Sequence, residues 1–207
     1  MKKLLFSVFA AMALAAVADT TPVMVSLVTP VQAPSCSFDV VGFRLSLIYG
    51  QCQEFTGLDI GIINHATADF TGVGVGGVNI AEGRLLGGQI GVINWNNNPA
   101  DAWDGRSIGL QLGILNYDTS LCGLQEGVLN VSGKSAYGAQ SGYVNIARNV
   151  GGAQVGYVNI SSGHVNGCQV GILNYAATMD CGLQVGIINI ISANGWFPIL
   201  PIVNGHF

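Results

Sequence analysis

The sequence has very little charge, since Asp, Glu, Lys and Arg make up 9% of its 207 residues and the formal net charge is −4. So few charges are unusual for the surface of a soluble protein, and the lack of a basic patch argues against a nucleic-acid-binding protein. Half of the residues are hydrophobic, which excludes a disordered chain. This composition favours either a stack that buries most of each unit or a chain that lies partly in lipid.

Recognisable reaction chemistry is also missing from the sequence. It contains no G-x-S-x-G, H-E-x-x-H or P-loop lysine motif and no D-x-D-x-D-G calcium loop. The three histidines, His65, His164 and His206, are scattered and have no acidic partner at a suggestive spacing. We therefore predict that the protein is not an enzyme and that it has no cofactor or metal site.

A long apolar run occurs only at the start of the chain. Two lysines precede the run Leu4–Val17, and Ala16 and Ala18 have the spacing of a signal-peptidase site. We predict a cleaved secretory signal peptide over residues 1–18, with Asp19 as the first mature residue. No later segment is long and apolar enough to predict a transmembrane helix.

Glycine, in contrast, is abundant at 30 residues and recurs in the motif G-x-x-x-G-x-x-N. The motif occurs in nine complete copies, and its asparagines recur at intervals of about 15 residues, with one longer interval after the third copy. These asparagines are Asn64, Asn79, Asn94, Asn116, Asn130, Asn145, Asn159, Asn174 and Asn189. Such regularity indicates units that stack on one another. Stacked Asn and Gln amides can bond along a column, so we predict a structural ladder.

Within a unit, apolar residues alternate with Gly and Gln, which is the pattern of a β-strand with two different faces. Short polar turns separate the units, and no helical period follows the signal peptide. We predict an all-β solenoid of about eleven units, each of about 15 residues. Its predicted parts are a lead-in over residues 19–41, the repeat array over 42–195 and a C-terminal cap over 196–207.

The first and last of the eleven units are degenerate. Gly42–Tyr49 keeps the layout with Tyr49 in the asparagine position, one repeat length before Asn64. Phe197–Asn204 ends on an asparagine that lies one repeat length after Asn189. Atypical end units are expected because the ends of a stack must not offer open strand edges. The two prolines of the last unit suit such an end, since proline cannot donate to a further strand.

An outer-membrane β-barrel with one strand per unit is the alternative fold. The column of Leu58, Ile60 and Ile62 would then face lipid, and the low charge and the C-terminal Phe207 favour this version. The missing superperiod of two units, the odd number of units and the prolines in the last unit favour the solenoid. The two folds differ in strand direction, because solenoid neighbours are parallel and barrel neighbours are antiparallel.

Five cysteines in an exported chain permit disulfides. Cys36 and Cys52 precede successive units by six and five residues, so stacking would bring them close, and we predict them as the candidate disulfide. Cys122, Cys168 and Cys181 share no adjacent equivalent position and are interpreted as small apolar fillers.

The longest interruption of the array is a seven-residue insertion between Asn94 and Asn116. Insertions in solenoids often lie on one face and carry binding. The candidate interaction residues are Trp95, Asn97, Asp101, Trp103, Asp104 and Arg106. Tryptophans beside amide and acidic groups suit a sugar or a partner loop. The alternative is a solvated loop whose aromatic rings lie back over the stack.

Three elements in order resemble a family of bacterial surface-repeat proteins first described in leptospires. They are the lead-in Pro22–Gln32 with Val41–Gly50, the G-L-Q-x-G-x-x-N units, and the terminal F-P-I-L-P-I-V-N. The resemblance spans nearly the whole mature chain. It implies export and an outer-membrane or cell-surface setting in a Gram-negative bacterium, but it implies no reaction, cofactor or binding residue.

From these observations we expect a non-catalytic, exported envelope or surface repeat protein with a structural or interaction role. The alternative function is an outer-membrane barrel that forms a small pore. The expected partners are envelope components or outer-membrane lipid, and nucleic acid is not expected.

Overall fold

The computed structural model describes residues 20–99 and 106–207, and all regular structure in these ranges is β-strand. The strands are β1 (Thr20–Val28), β2 (Val31–Ala33), β3 (Asp39–Cys52), β4 (Phe55–Ala66), β5 (Phe70–Ala81), β6 (Leu85–Asn96), β7 (Ser107–Leu112), β8 (Leu115–Ala193) and β9 (Ile199–His206). They form one sheet in chain order, except that β2 lies outside β1. Within the described ranges no helix is long and apolar enough to cross a membrane.

Neighbouring coils run parallel and in register. Gly57 in β4 lies beside Gly72 in β5, and Asn64 lies beside Asn79; the same register continues from β5 to β6. Among the described strands only the pairs β1–β2 and β8–β9 are antiparallel. Parallel neighbours one repeat apart define a β-solenoid, so the predicted all-β solenoid is confirmed. The alternative with one antiparallel strand per unit is wrong.

The insertion does not disturb the register of the stack. The first part of β6 pairs with β7, where Gly87 lies beside Gly109. The second part pairs with the start of β8, where Asn94 lies beside Asn116. The described residues on both sides of the insertion therefore keep their columns, and β8 then continues through the remaining coils.

The first glycine of each unit, which we call the column glycine, fixes the distance between coils. Ten column glycines, from Gly42 to Gly182, have φ between 121° and 153°. A Cβ atom added to any of the nine after Gly42 would lie 1.7–2.2 Å from the carbonyl oxygen of the column glycine one coil before. Only glycine fits this backbone conformation and this close approach.

The predicted eleventh unit is not a further parallel coil. β9 pairs antiparallel with the last coil, and Asn204 lies opposite Gln184, so it does not stack on Asn189. The chain reverses after β8, where Asn194 has φ 64°. Ten stacked coils therefore carry a column glycine, β1 adds a parallel strand before the first of them, and β9 pairs antiparallel with the last one.

The first coil also differs from the prediction at Tyr49. The register shifts between Ser46 and Tyr49, so that Tyr49 pairs with Ile63 and Gly50 lies beside Asn64. One extra residue in a strand produces such a β-bulge. Gly50 thus takes the inward asparagine position, while the Tyr49 hydroxyl forms a 2.7 Å hydrogen bond with His65 Nδ1. The shift keeps a large ring out of a narrow column.

The same positions face inward, and the same positions face outward, in successive coils. Positions 2, 7 and 9 after the column glycine and position 2 before it are buried, whereas positions 1, 3, 5, 6 and 8 face outward. Two apolar clusters occupy the interior. The first contains Met24, Val40, Cys52, Phe55, Ala66, Phe70, Ala81 and Leu85. The second contains Ala136, Ala147, Val150, Val165, Ala176, Met179 and Ile191. Columns of buried Asn and Gln side chains line the rest.

Candidate functional site

The nine predicted ladder asparagines form one hydrogen-bonded column inside the stack. Each Nδ2 group from Asn64 to Asn174 donates to the Oδ1 atom of the next asparagine at 2.8–3.0 Å. The same groups donate to a backbone carbonyl of the next coil, as Asn145 does to Val155 at 3.0 Å. All nine are at most 1% exposed. These amides hold the coils together and are not accessible to a ligand.

A second column of glutamines runs beside the first with the opposite polarity. Each Nε2 group from Gln111 to Gln184 donates to the Oε1 atom of the glutamine one coil earlier, at 2.7–2.9 Å. Most of them also donate across their own coil, as Gln169 does to the Tyr175 carbonyl at 3.1 Å. The glutamine column therefore ties neighbouring coils together and also fixes the cross-section of each coil.

An ion pair replaces the glutamine column in the first two coils. Arg44 and Asp59 occupy the inward position that glutamine takes later, and both are 0% exposed. The guanidinium donates from Nε to Asp59 Oδ1 at 2.9 Å and from Nη2 to Oδ2 at 2.5 Å. Its Nη1 group donates to the carbonyl of His65 at 2.8 Å. This bidentate pair is fully enclosed, so it connects the two coils and does not form a site open to substrate.

The predicted Cys36–Cys52 disulfide is not formed, because all five cysteines of the structure are free thiols. Cys52 is buried in the first apolar cluster, where its sulfur lies 2.9 Å from Arg44 Nη1. Cys36 lies outside the cluster, in the segment between β2 and β3. Burial raises the pKa of the Cys52 thiol to about 12, so the thiol stays protonated and unreactive at neutral pH.

The ends of the insertion rest on aromatic rings of later coils. Trp95 stacks on Tyr117, with ring centroids 4.1 Å apart and planes 17° apart. The guanidinium of Arg106 lies over the ring of Tyr137, 4.5 Å from its centroid. These contacts are the ones that the alternative interpretation predicts, because both side chains pack against rings of the stack.

Of the other four residues of the predicted interaction loop, the structure describes Asn97. The backbone N–H of Asn97 donates to the Ala81 carbonyl at 2.9 Å, which continues the stack by one residue beyond β6. Three of the predicted residues lie outside the described ranges: Asp101, Trp103 and Asp104. Of the candidates that the structure describes, Trp95 and Arg106 contact two different rings, those of Tyr117 and Tyr137.

A buried polar cluster lies beside the insertion and was missed in the sequence. Asn96, Ser107 and Asp118 are each 0% exposed. Asn96 Nδ2 donates to Asp118 Oδ2 at 2.7 Å and to Ser107 Oγ at 2.5 Å. Asn96 and Asp118 occupy the inward column that holds Ala66 and Ala81 in earlier coils. An Asn followed by an Asp, in a column that otherwise holds mostly Ala and Ser, is the signal in the sequence that predicts the cluster.

Asp118 makes the stability of the fold depend on pH. Burial raises its pKa from 3.8 to about 6, and hydrogen bonds from Asn96 and the Ser120 N–H oppose this shift. Because the folded pKa is the higher one, the carboxyl stabilises the fold below pH 4 and loses that contribution as pH rises through 6. Two pH units correspond to about 3 kcal/mol.

We therefore expect Asp118→Asn to remove this part of the pH dependence. The measurement is the free energy of unfolding from urea titrations at pH 4, 5, 6 and 7. The variant should resemble the wild type at pH 4 and exceed it by about 3 kcal/mol at pH 7. Asp118→Ser, which also cannot titrate, should show the same flattened profile. Wild-type and variant curves that stay parallel over this range would contradict the assignment.

The outward side chains form an apolar surface along the whole stack. We call the outward residues at positions 1, 3, 5, 6 and 8 of the ten coils the apolar wall. Its most prominent ridge is position 5, where large side chains are 43–66% exposed. From the second coil onward, these are Ile62, Val92, Ile114, Val128, Tyr143, Tyr157, Ile172 and Ile187. Contiguous apolar surface of this extent usually marks an interaction site.

Exposed charges are separated from this wall. Three of the charged side chains that the structure describes are buried: Arg44, Asp59 and Asp118. Apart from Glu126, the other described Asp, Glu, Lys and Arg side chains lie on the turns that join one coil to the next. We call this side of the solenoid the turn edge. These turn-edge residues are Asp39, Glu54, Asp69, Glu82, Arg84, Arg106, Lys134, Arg148 and Asp180. The cross-section of the solenoid is thus amphipathic, with a mixed-charge edge and an apolar remainder.

A shallow groove of about 570 Å³ follows the wall in the later coils. Tyr143 and Tyr157 lie on one side with ring centroids 5.0 Å apart, and Val155 and Val170 lie on the other. Ser141, which occupies position 3 of its coil, lines this groove as a small side chain.

A second groove, of about 550 Å³, lies on the turn edge and is polar. His164 Nδ1 lies 3.0 Å from Asp180 Oδ1 there, beside Asn149 and Asn166. Both members of this pair are at least half exposed, so solvent screens their interaction. Within the described ranges no three His, Cys, Asp or Glu side chains are placed to share a metal ion.

Comparison with known proteins gives no relative for this chain: no protein-family model, curated protein or solved structure matches it.

Proposed function

We propose that this chain is a non-catalytic, exported repeat protein of the Gram-negative envelope that acts as a rigid structural or interaction element. The observation that carries the proposal is the apolar wall, which runs the length of the array with Glu126 as its single charged side chain in the described ranges. A surface of this kind suits binding to an apolar partner.

Two further observations support the proposal. The buried amides, which are the most abundant polar side chains of the interior, bond to one another in the two ladders. The predicted signal peptide over residues 1–18 supports export, and the resemblance to surface-repeat proteins supports an outer-membrane or cell-surface location. The alternative of a small pore depended on antiparallel strands and is not proposed.

The proposal is tested by expressing the full chain with a C-terminal tag in a Gram-negative host. We expect the protein in the envelope fraction, with an N-terminus at Asp19 by N-terminal sequencing. Phe9→Arg, which places a charge in the apolar run of the signal, should leave an unprocessed protein in the cytoplasm. Phe9→Leu is the matched control and should be exported like the wild type. An unprocessed wild-type protein that fractionates with the cytoplasm would overturn the proposal.

A further inference from the structure

The distribution of charge identifies the kind of partner that the apolar wall fits. Nine charged side chains lie on the turn edge, whereas Glu126 is the single one on the wall in the described ranges. We propose that the wall docks on the hydrocarbon boundary of a lipid membrane, with the turn edge towards water. This inference rests on the function proposed above and names the partner of the same surface. Such a solenoid lies in the interface as an amphipathic helix does.

The shape of the wall favours lipid over a second copy of this chain. Positions 5 and 6 both face outward, so the wall bends around a corner of the coil, as Ile187 and Ile188 show with 66% and 45% exposure. A flat partner sheet would cover positions 1, 3 and 5 and leave positions 6 and 8 exposed. Fluid acyl chains cover both sides of a convex corner. A membrane therefore buries more of this surface than a dimer does.

The size of the wall is sufficient for stable docking. Ten coils at the strand spacing of about 4.8 Å give a length of about 45 Å, and positions 1 to 5 span about 13 Å. One side of the corner alone thus measures about 600 Å², which is at the upper limit of apolar patches on soluble monomers. The exposed ridge at position 5 places its side chains deepest in the acyl region.

The signs of the turn-edge charges determine the lipid preference. Five are acidic and four are basic, and both signs occur along one edge. A polybasic surface would bind anionic lipid and release it in salt. This protein has no such surface among its described residues, so its binding should depend on burial of apolar side chains and be independent of anionic lipid.

The test is flotation of the full-length chain, purified from the expressing cells, with vesicles of phosphatidylcholine alone. We expect the wild type to float with these neutral vesicles. The same bound fraction is expected when about one third of the lipid is phosphatidylglycerol, and also in about 0.5 M NaCl, which screens surface charge. The triple variant Ile62→Glu, Ile114→Glu, Ile172→Glu places three charges on the ridge and should lower the partition coefficient at least tenfold. Circular dichroism confirms that the variant keeps its β-structure.

The matched control adds the same three charges to the turn edge, as Gln53→Glu, Ser162→Glu and Ser192→Glu. These side chains are exposed, and the control should bind neutral vesicles as the wild type does. Equal loss of binding in the two triple variants would overturn the proposal, because the wall would then have no special role.

Two further outcomes would also overturn it. A wild type that does not float but forms a dimer by light scattering would assign the wall to a second copy. Binding only to anionic vesicles, with release in salt, would assign the contact to surface charge. In either case normal export and envelope fractionation would leave the proposed envelope function intact, whereas failed export with intact vesicle binding would overturn that function alone.

Discussion

Gly87→Ala is expected to destabilise the fold by more than about 3 kcal/mol, because the variant combines backbone strain with a steric clash. Gly87 has φ 132°, and an added Cβ atom would lie 2.0 Å from the carbonyl oxygen of Gly72 and 2.9 Å from its carbonyl carbon. Both obstacles are backbone atoms of a neighbouring coil, so no side-chain rotation relieves the clash. The measurement is the midpoint of urea unfolding followed by far-ultraviolet circular dichroism.

The next residue of the chain provides the control. Gly88 lies in the column of position 1 and is covered by the Leu110 side chain of the next coil, and a Cβ atom there would approach nothing closer than that side chain at 3.4 Å, which is ordinary contact. Gly88→Ala should leave stability unchanged or raise it by less than about 1 kcal/mol, since alanine restricts the unfolded chain. Equal effects at the two adjacent glycines would show that the close approach at the column glycine does not fix the spacing of the coils.

Arg44→Met is expected to cost about 3–5 kcal/mol, because it leaves the Asp59 carboxylate buried without its partner. Both side chains are fully buried, and the guanidinium supplies both hydrogen bonds to the carboxylate in this pair. Burial is the largest influence on the pKa of Asp59 and raises it, whereas Arg44 opposes the rise. Without Arg44 the carboxyl should protonate more readily, so the loss of stability should be larger at pH 8 than at pH 4.

The double variant Arg44→Met, Asp59→Leu separates the cost of an unpaired charge from the contribution of the pair. Apolar residues of similar volume often replace a buried ion pair without loss of stability. The double variant should therefore recover most of the loss measured for Arg44→Met by urea unfolding, and its stability should no longer differ between pH 4 and pH 8 on account of Asp59. A double variant as unstable as the single one would mean that the pair itself stabilises the first two coils.

The bonds that determine stability lie inside the coil, whereas the proposed contact surface lies outside it. Side chains of the apolar wall take no part in the Asn ladder, in the Gln ladder or in the close contacts of the column glycines. Substitutions on the ridge, such as Ile172→Glu, are therefore expected to change binding and to leave the frame intact. The effect of such substitutions on membrane binding can therefore be measured on folded protein.

Much of the inner architecture could be predicted from the sequence. A residue that stacks directly on its counterpart recurs at the same position in every unit. The sequence therefore predicts that the Asn and Gln columns form hydrogen-bonded ladders. The polar cluster of Asn96 and Asp118 could be predicted in the same way, because these two are the largest polar residues in a column of mostly small ones.

The candidate contact surface was harder to predict. The alternation along Leu58, Ile60 and Ile62 shows that a strand has one apolar face, but a period of two does not state which face is inside. In most proteins the apolar face is buried. Here the two amide columns share the interior with the two apolar clusters, and many other large apolar residues lie outside.

The sequence by itself determined that the chain is all-β, that its units repeat with a period of about 15 residues and that their amides form columns. These features require the same residue type at the same position of neighbouring units, and a repeating sequence shows this directly. Only the tertiary structure decided that neighbours are parallel, that the first coil shifts at Tyr49 and that the segment ending at Asn204 turns back across the stack. The physical reason is that strand direction, bulges and chain reversal depend on hydrogen bonds to a neighbouring strand, and the order of residues along one strand does not specify that neighbour.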